Sequence, residues 1–247
     1  MLGGLLRIVA MMVVLSSAAS ATELAKLYDY HLFPPFVTEP GHGLTYDFAV
    51  YLAEASGGAY DIQVEALPRR RFDAAIDAES GRYVSPWLMP DWLGDTGMTK
   101  YAWSKPLLHD SDDLLSRAAK PFDYSGPESL FGKEVGANLG YVYPVITEYF
   151  ASGAVTRVDV PREEQIVKML ASDRLNIAIV PGVAARYYVR QLGLRDRIHF
   201  SPRPLYSYDR RALMHGDAAW VAFLRKTVEA APHDPKWQAI LARYGLD

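Results

Sequence analysis

The sequence contains no cysteine in its 247 residues. A disulfide framework and a cysteine-anchored lipid are therefore both excluded. The six histidines form no His-Glu motif and no pair spaced by four residues, so a metal site is not expected. A Gly-x-Ser-x-Gly elbow and a glycine-rich phosphate loop are absent as well. The sequence thus gives no sign of a cofactor, and we expect none.

A large excess of charge of one sign is also missing. The chain has 26 basic and 29 acidic residues, for a net charge of −3. If residues 1–21 are removed, Arg7 goes with them and the net charge becomes −4. This balance excludes the strongly basic surface that nucleic acid or an anionic membrane attracts.

Long hydrophobic runs are confined to the first 21 residues. Arg7 is the only charge there, Ile8 to Leu15 is apolar, and Ala19-Ser20-Ala21 fits a small-residue cleavage site. The run is too short to span about 30 Å of hydrocarbon, which disfavours a membrane anchor. We predict a signal peptide cleaved after Ala21 and a mature protein in the periplasm.

The first structured stretch predicts a strand, a loop and a helix. Leu24 to Tyr30 alternates as a half-buried strand does, and Phe33-Pro34-Pro35-Phe36 interrupts regular pairing. Thr45 can cap a helix that ends at Gly57-Gly58. In an open α/β sheet, a loop that follows a strand lies at the edge where ligands bind. We therefore expect Phe33 to line a ligand site.

Further elements follow in two βα series, separated by the polar segment 120–126. The predicted elements are strands at 61–67, 82–87, 133–139, 156–160, 176–180 and 198–200, helices from Pro68, over 142–150, from Pro161, over 182–192, over 218–230 and from Asp234, and short extended segments at 97–104, 114–116 and 212–214. Such alternation predicts an α/β protein of two lobes. The predicted organisation is a signal peptide (1–21), a first lobe (22–120), a second lobe (121–204) and a return to the first lobe (205–247).

Several short motifs share an order and spacing across the mature chain. They are Phe33-Pro34-Pro35-Phe36, Gly43-Leu44-Thr45-Tyr46-Asp47, Gly97-Met98-Thr99, Trp103-Ser104, residues 130–136, residues 174–178 and residues 240–245. In this respect the chain resembles the family 3, or polar amino acid, periplasmic solute-binding proteins of bacterial ABC importers. The resemblance implies a two-lobed, type II periplasmic-binding fold that closes on a ligand in the cleft. It also implies an inner-membrane ABC permease as partner, and we expect a monomer.

The chain departs from the family pattern at both charged anchors. The arginine that grips the amino acid carboxylate in the family would fall at Gly97, and only Lys100 is a nearby cation. The acidic residue that holds the ammonium group would follow residue 180, where this chain has Pro181-Gly182. Charge-assisted hydrogen bonds contribute roughly 1.5–3 kcal/mol each. We therefore expect a ligand other than a standard α-amino acid, of small polar, anionic or aromatic type.

Eight residues are candidates for the ligand site: Phe33, Arg70, Arg71, Ser85, Trp87, Gly140, Tyr141 and Pro181. Phe33, Trp87 and Tyr141 could stack on a ligand, or pack in the core, between the lobes or on the surface. One or two of Arg69, Arg70 and Arg71 could face the cleft and meet an anion, although a solvated surface cluster is an equal alternative. Gly140 and Pro181 would contribute backbone only.

Two other functions remain open at this stage. The same fold can host dehydratase-like chemistry, and isolated carboxylates such as Glu65, Asp91 and Asp95 could lie near the cleft. A ligand-sensing accessory protein is the other alternative. Because no nucleophile or metal motif is present, we favour a binding protein over an enzyme.

Overall fold

The computed structural model describes residues 22–78 and 80–246. The predicted signal peptide lies outside the described residues. The strands are β1 (Glu23–Asp29), β2 (Tyr60–Ala66), β3 (Tyr83–Leu88), β4 (Ala102–Trp103), β5 (Leu108–Arg117), β6 (Glu134–Asn138), β7 (Thr156–Val160), β8 (Ile177–Pro181), β9 (Ile198–Phe200) and β10 (Tyr206–His215). The helices are α1 (Leu44–Ala55), α2 (Arg69–Asp77), α3 (Thr147–Ala151), α4 (Glu163–Ala171), α5 (Gly182–Gln191), α6 (Ala218–Ala230) and α7 (Pro235–Tyr244). Short 3-10 turns cover Pro90–Leu93, Pro127–Leu130 and Ala231–His233.

These strands form one curled sheet in the order β2-β1-β3-β10-β5-β8-β6-β7, with β4 beside β10 and β9 beside β5. β1 runs parallel to β2 and β3, and β6 runs parallel to β7 and β8. The long strand β10 pairs with β3 and β4 through residues 211–215 and with β5 through residues 206–210. Since β5 in turn pairs with β8, the two long antiparallel strands β5 and β10 connect the two halves of the molecule.

The first half, which we call the first lobe, has an aromatic core. Helices α1, α6 and α7 cover β1 and β3, and their rings interlock around Trp87. The ring of Phe48 lies 5.3 Å from both Trp87 and Trp237, measured between centroids. Tilted and edge-on ring pairs of this kind add to the stabilisation that the buried area itself supplies. The final helix begins as the sequence predicts, because the Asp234 carboxylate accepts from the Lys236 amide at 2.9 Å.

The second lobe has a more aliphatic core on both faces of its sheet. Helices α4 and α5 cover one face around Leu115, Ala178 and Val180. The other face packs Leu114, Ile179 and the ring of Tyr143. All five residues of β8 are buried, which confirms the prediction of a fully covered central strand at this place.

The loop after β1 is held against the start of α1. The Leu44 amide donates to the Pro35 carbonyl at 2.8 Å, and the Thr45 amide donates to the Phe36 carbonyl at 3.0 Å. Gly43 precedes the helix with φ 126°, and a Cβ at this position would lie 2.3 Å from the Phe36 carbonyl oxygen. Only glycine fits this close approach. The structure thus packs the predicted ligand loop rigidly onto the first lobe.

Three local predictions need correction. Thr45 is not the helix cap, since α1 begins at Leu44 after Gly43. The helix predicted over 142–150 is reduced to α3 at Thr147–Ala151. Pro144 explains this change, because a proline disfavours helical geometry in the residue before it.

The third correction concerns the extended segments predicted at 114–116 and 212–214. Each is the end of a ten-residue strand, β5 or β10. Both strands carry several charged residues, which are depleted in strands and hide the apolar pattern.

Within the described residues, no helix is long and apolar enough to cross a membrane.

Candidate functional site

A buried ion pair lies at the junction of the lobes, where β5 meets β10. The Arg210 guanidinium contacts the Asp110 carboxylate, with Nε and Nη2 at 2.8 and 2.7 Å from Oδ2. Both side chains are almost wholly buried, at 2% and 0% exposed. Burial opposes the positive charge of Arg210, but Tyr208 and Asp110 outweigh it and raise the arginine pKa above its usual value. The Arg210 guanidinium is therefore charged.

The remaining N–H groups of Arg210 are also engaged. Nη1 donates to the Trp87 carbonyl at 2.8 Å and lies 3.1 Å from His31 Nε2. Nη2 donates to the Tyr208 hydroxyl at 3.2 Å. A guanidinium has five N–H donors, and each of them has a partner here. Three rings surround the group, with centroids 4.9 to 5.2 Å away, namely Phe36, Trp92 and Tyr208. Arg210 consequently has no donor left for a ligand.

His31 is fixed as a neutral ring by its two partners. Its Nδ1 lies 2.9 Å from Asp29 Oδ1, and its Nε2 faces Arg210, which can only donate. This network places the single ring proton on Nδ1. Burial lowers the pKa of His31, which favours the neutral form further. Because Nε2 already accepts from Arg210, it has no free lone pair with which to act as a general base.

Asp29 extends this network into the first lobe. Its Oδ2 accepts from the Thr45 hydroxyl at 2.5 Å, and Thr45 Oγ1 accepts from Trp87 Nε1 at 2.9 Å. The hydroxyl that the sequence suggested as a helix cap is thus part of a buried polar chain. That chain links α1, β1 and β3 to the ion pair.

Asp110 connects the same network to the second lobe. Its Oδ1 accepts from the Ser111 amide at 2.8 Å and from the Val183 amide at 3.0 Å. Val183 lies in the first turn of α5, where free amides favour a negative charge. Both oxygens of Asp110 are therefore engaged, and one carboxylate joins the two lobes.

The second lobe contributes tyrosines and an acidic group. The Tyr141 hydroxyl donates to Glu163 Oε1 at 3.2 Å. Burial raises the pKa of Glu163, while a bond with its own backbone amide and the bond with Tyr141 lower it. Glu163 is a first-turn residue of α4, so its carboxylate occupies the N-terminal end of that helix. The Tyr143 hydroxyl accepts from the Asn138 amide at 3.2 Å.

Asp112 differs from the other carboxylates of the junction. It is only partly exposed, yet no described residue makes a hydrogen bond or an ion pair with its side chain. Burial, and then the neighbouring charge of Asp110, raise its pKa to about 7. Its partners across the sheet are Tyr206 on β10 and Pro181 on β8. Tyr206 is 41% exposed, which is high for an aromatic ring.

The predicted aromatic residues lie at different depths. Phe33 is partly buried and meets the rings of His31 and Phe36 edge-on, at 5.8 and 5.5 Å. Tyr141 is 37% exposed. Burial and then the charge of Glu163 raise the pKa of its phenol, and the charge of Arg210 opposes them. Trp87 has no exposed surface and packs in the first-lobe core. Its backbone carbonyl, rather than its ring, contacts Arg210, and its φ of 68° is unusual for a large side chain.

Arg70 and Arg71 are exposed on α2, and among the described residues neither makes a hydrogen bond or an ion pair. Arg69, which was not among the eight candidates, is closer to the junction. Its guanidinium lies 4.8 Å from the centre of the Tyr30 ring and donates to the Trp92 carbonyl at 2.9 Å. It also pairs with Asp73 at 2.7 Å. A ligand contact of Arg70 and Arg71 therefore stays a prediction.

The other three candidates are Ser85, Gly140 and Pro181. Ser85 is fully buried, and its hydroxyl oxygen has no partner among the described residues. Gly140 is exposed in the turn after β6 with φ 80°. Pro181 is the buried last residue of β8, beside Asp112. Gly140 and Pro181 lie at the carboxyl ends of their strands, as the sequence analysis expected.

The loop at the position of the missing family arginine is organised by Asp95. This carboxylate accepts from the amides of Thr99, Lys100 and Tyr101 and from Trp103 Nε1, at 2.7 to 3.1 Å. These bonds lower its pKa to about 2, against the opposing effect of burial. The Lys100 ammonium lies 4.6 Å from the centre of the Tyr101 ring. Lys100 therefore faces an aromatic ring of its own loop.

Sequence reasoning missed Arg210, Asp110, Asp112 and His31. The available signal was the pair Asp110 and Asp112 in β5. Residues two apart share one face of a strand, so both carboxylates lie on the same face. Within the described residues, no group of histidine and acidic side chains could hold a metal ion.

Comparison with known proteins gives a result at the level of structure only. No family model matches the sequence, and no curated protein matches it. Among solved structures, an ancestral cationic amino acid solute-binding protein has a TM-score of 0.69 at 13% identity, covering 90% of this chain and 95% of that one. An ancestral arginine-binding protein bound to arginine has a TM-score of 0.65 at 15% identity, covering 90% and 98%.

A third similar structure is the GluR0 ligand-binding core from Nostoc punctiforme in complex with L-glutamate. Its TM-score is 0.63 at 14% identity, and the alignment covers 91% of this chain and 100% of that chain. All three similar structures are two-lobed binding domains, so the predicted fold class is confirmed. The chain has the two-lobed α/β fold of the amino acid solute-binding proteins, the fold that its sequence motifs indicated.

Proposed function

We propose that this chain is a periplasmic solute-binding protein that captures a small ligand between its lobes and delivers it to an ABC permease of the inner membrane. The observation that carries the proposal is the Asp110 carboxylate, which joins Arg210 on one hinge strand to the Val183 amide of the second lobe. A buried polar contact at a hinge gives closure a defined end point. A permease could then distinguish the closed protein from the open one.

The ligand wall in this proposal is aromatic and includes Phe33 and Tyr141. Phe33 lies on the loop of the first lobe that packs against α1, and Tyr141 follows β6 of the second lobe with 37% of its surface exposed. A cleft with apolar walls and a few polar groups is typical of small-molecule sites. A standard α-amino acid remains a poor candidate, because Arg210 has no donor to offer its carboxylate.

One feature could suggest an enzyme, namely the contact between Asp29 and His31. That pair resembles the acid–histidine arrangement of hydrolases. Here the second ring nitrogen faces Arg210 instead of a nucleophile, and the ring is buried at 4% exposure. No observation therefore favours catalysis over binding.

The test is a thermal-shift screen of the purified mature protein against amino acids, organic acids, aromatic acids and amines. We expect at least one compound to raise the melting temperature saturably, because a ligand that binds only the folded state stabilises it. Mass spectrometry of the incubated compound checks that it is unchanged. Turnover of the compound would replace the binding function with an enzymatic one, and the absence of any shift would contradict the proposal.

A further inference from the structure

The polar groups at the lobe junction fall into two sets, those that already have partners and those that do not. The partnered set includes every N–H of Arg210, both oxygens of Asp110 and both ring nitrogens of His31. A ligand gains little from groups that are already satisfied, since it must first break their bonds. Ligand recognition therefore depends on the unpartnered set.

Apart from the buried Ser85 hydroxyl of β3, the unpartnered set consists mainly of acceptors. The carboxylate of Asp112 has no hydrogen bond or ion pair with a described residue. Asn138 is 2% exposed, and its side-chain oxygen has no partner among the described residues. Among the other described residues, only Tyr141 donates a hydrogen bond to Glu163. Buried acceptors without partners cost free energy that a donor from a ligand would recover.

Tyr143 lies among the residues that carry these acceptors. Its hydroxyl accepts from the Asn138 backbone amide. Burial is the main cause that raises the pKa of the Tyr143 phenol, and the nearby charges of Asp112 and Glu163 raise it further. The Tyr143 hydroxyl adds one hydrogen that no described group accepts. The carboxyl ends of β6 and β8 and the middle of β5 thus form one acceptor-rich wall.

Positions at which an anion could bind are filled by the chain itself. The first-turn amide of Val183 in α5 donates to Asp110, and the Glu163 carboxylate bonds its own amide at the start of α4. The amides that open α1 donate to the carbonyls of Pro35 and Phe36. Helix N-termini are the usual anion sites of such a fold. Here these three are already occupied.

Exposed aromatic surface borders the acceptor wall. Tyr206 pairs with Asp112 across the sheet, and its ring is stacked on Tyr208 at 5.8 Å. Tyr208 in turn meets Trp92 edge-on at 5.4 Å. Ring faces attract cations as well as apolar groups. The unpaired charge of the wall is negative, and its neighbours are rings.

Because the unpartnered groups are mainly acceptors and their neighbours are rings, we propose that the ligand is a small primary or secondary amine without a carboxylate. Its ammonium group binds Asp112, Asn138 and Tyr143. The inference rests on the proposed binding function and specifies its ligand class. Asp112 accepts a charge-assisted hydrogen bond and the neighbouring tyrosine rings pack on the apolar part of the amine. Within the acceptor-rich wall, the carboxylate of an amino acid would meet no free cation.

The test compares three compounds that differ at one group: 2-phenylethylamine, phenylalanine and 3-phenylpropanoate. A second matched pair is 1,4-diaminobutane and hexanedioate. Affinities for the full-length mature protein are measured by calorimetry at pH 8. We expect the tighter of the two amines to bind at least about tenfold more tightly than its carboxylate-bearing counterpart, as one charge-assisted hydrogen bond predicts.

Asp112→Asn is the decisive variant, and Asp209→Asn is its control on the same pair of hinge strands. Asp209 is exposed and pairs with His109 and Arg211. We expect Asp112→Asn to weaken amine binding at least about tenfold and Asp209→Asn to leave it unchanged. If Asp112→Asn does not fold, the wild-type protein supplies a second readout, because amine affinity should fall as the pH is lowered from 8 to 6 and Asp112 takes up a proton.

The titratable groups that interact with the Asp112 charge are Asp110 and Asp113 on its own strand, Arg210 and Tyr208 on β10, and Tyr143 of the second lobe. A carboxylate compound that binds as well as its amine, or an amine affinity that Asp112→Asn leaves unchanged, overturns the ligand class while the binding function stands. If no compound of any class binds, both the ligand class and the proposed function are wrong.

Discussion

The two sides of the lobe junction satisfy their polar groups differently. On the first-lobe side, Arg210, His31 and Asp29 form a closed network in which each side chain has its full set of partners. On the second-lobe side, Asp112 and Asn138 have acceptors without partners. Both regions are buried or nearly so, and both are charged.

The difference distinguishes polar groups that stabilise the fold from polar groups that are available to a ligand. A complete network fixes one conformation but leaves no group for a ligand. A network with unpartnered groups lowers the stability of the protein without ligand, and a ligand that supplies the missing partners restores that stability. The following substitutions test this comparison, beginning with the largest expected effect.

Arg210→Met removes the centre of the closed network. It leaves Asp110 as a buried charge with its main partner gone, and breaking a buried pair in this way costs about 3–5 kcal/mol. We expect the free energy of unfolding, measured by urea titration, to fall by about that amount. Arg243→Met is the control, because Arg243 is 58% exposed in its surface ion pair with Asp47. A loss no larger than the control's would mean that the network does not stabilise the fold.

His31→Gln removes the ring between Asp29 and Arg210. At pH 8 we expect a loss of about 1–3 kcal/mol, because two buried charged groups each lose a hydrogen bond. The folded-state pKa of His31 lies below its usual value, so its contribution to stability is complete above about pH 6.5 and declines as the pH falls further. The difference in unfolding free energy between wild type and variant should therefore be smaller at pH 5 than at pH 8. An equal difference at both values would contradict the neutral, buried ring.

Asp112→Asn should raise the free energy of unfolding at pH 8, whereas the two substitutions above lower it. The folded-state pKa of Asp112 is raised from 3.8 to about 7, so the wild-type protein loses stability as the pH rises between these values. At pH 8 the variant lacks this cost, and we expect it to be more stable by on the order of 1–2 kcal/mol, less than the full shift would give because the side chain is partly exposed. Near pH 3.8 the two proteins should unfold alike. If the variant is less stable at pH 8, Asp112 has a stabilising partner and does not belong to the unpartnered set.

Tyr141→Phe makes the smallest change. The variant loses one hydrogen bond at 3.2 Å to Glu163, and the ring stays in place. Thermal unfolding should show a loss of about 0.5–1 kcal/mol. The bond with Tyr141 lowers the pKa of Glu163, so the variant should raise that pKa further. A much larger loss of stability would show that Tyr141 belongs to the closed network.

The sequence predicted most helices and strands better than it predicted the residues at the junction of the lobes. The apolar run of β8 and the cap at Asp234 were predictable, because burial and capping leave local patterns. The two strands that connect the halves of the molecule, β5 and β10, were foreseen only at their apolar ends. Their middle residues include Asp110, Asp112 and Arg210, which are uncommon in strands and are stabilised only by contacts from distant parts of the chain.

The ligand residues illustrate the same limit. Phe33 and Tyr141 were predicted because they follow strands in a fold that the motifs indicated, and their contact with a ligand stays a prediction. Trp87 followed the same rule, yet its ring packs in the core, since a position at the end of a strand does not determine the direction of a side chain. The three arginines from 69 to 71 formed the more visible cluster, but the buried arginine lies 139 residues beyond the last of them, at position 210.

The distribution of tryptophan has a practical consequence for observing closure. All five tryptophans lie outside residues 121–204, so the second lobe contributes no indole emission. Trp87, Trp220 and Trp237 are buried in the first-lobe core, and Trp103 is bonded to Asp95. Trp92 alone is a partly exposed indole at the junction, beside His31, Tyr208 and the Arg210 guanidinium. The proposed closure should therefore change the emission of Trp92, which intrinsic fluorescence can follow without any attached dye.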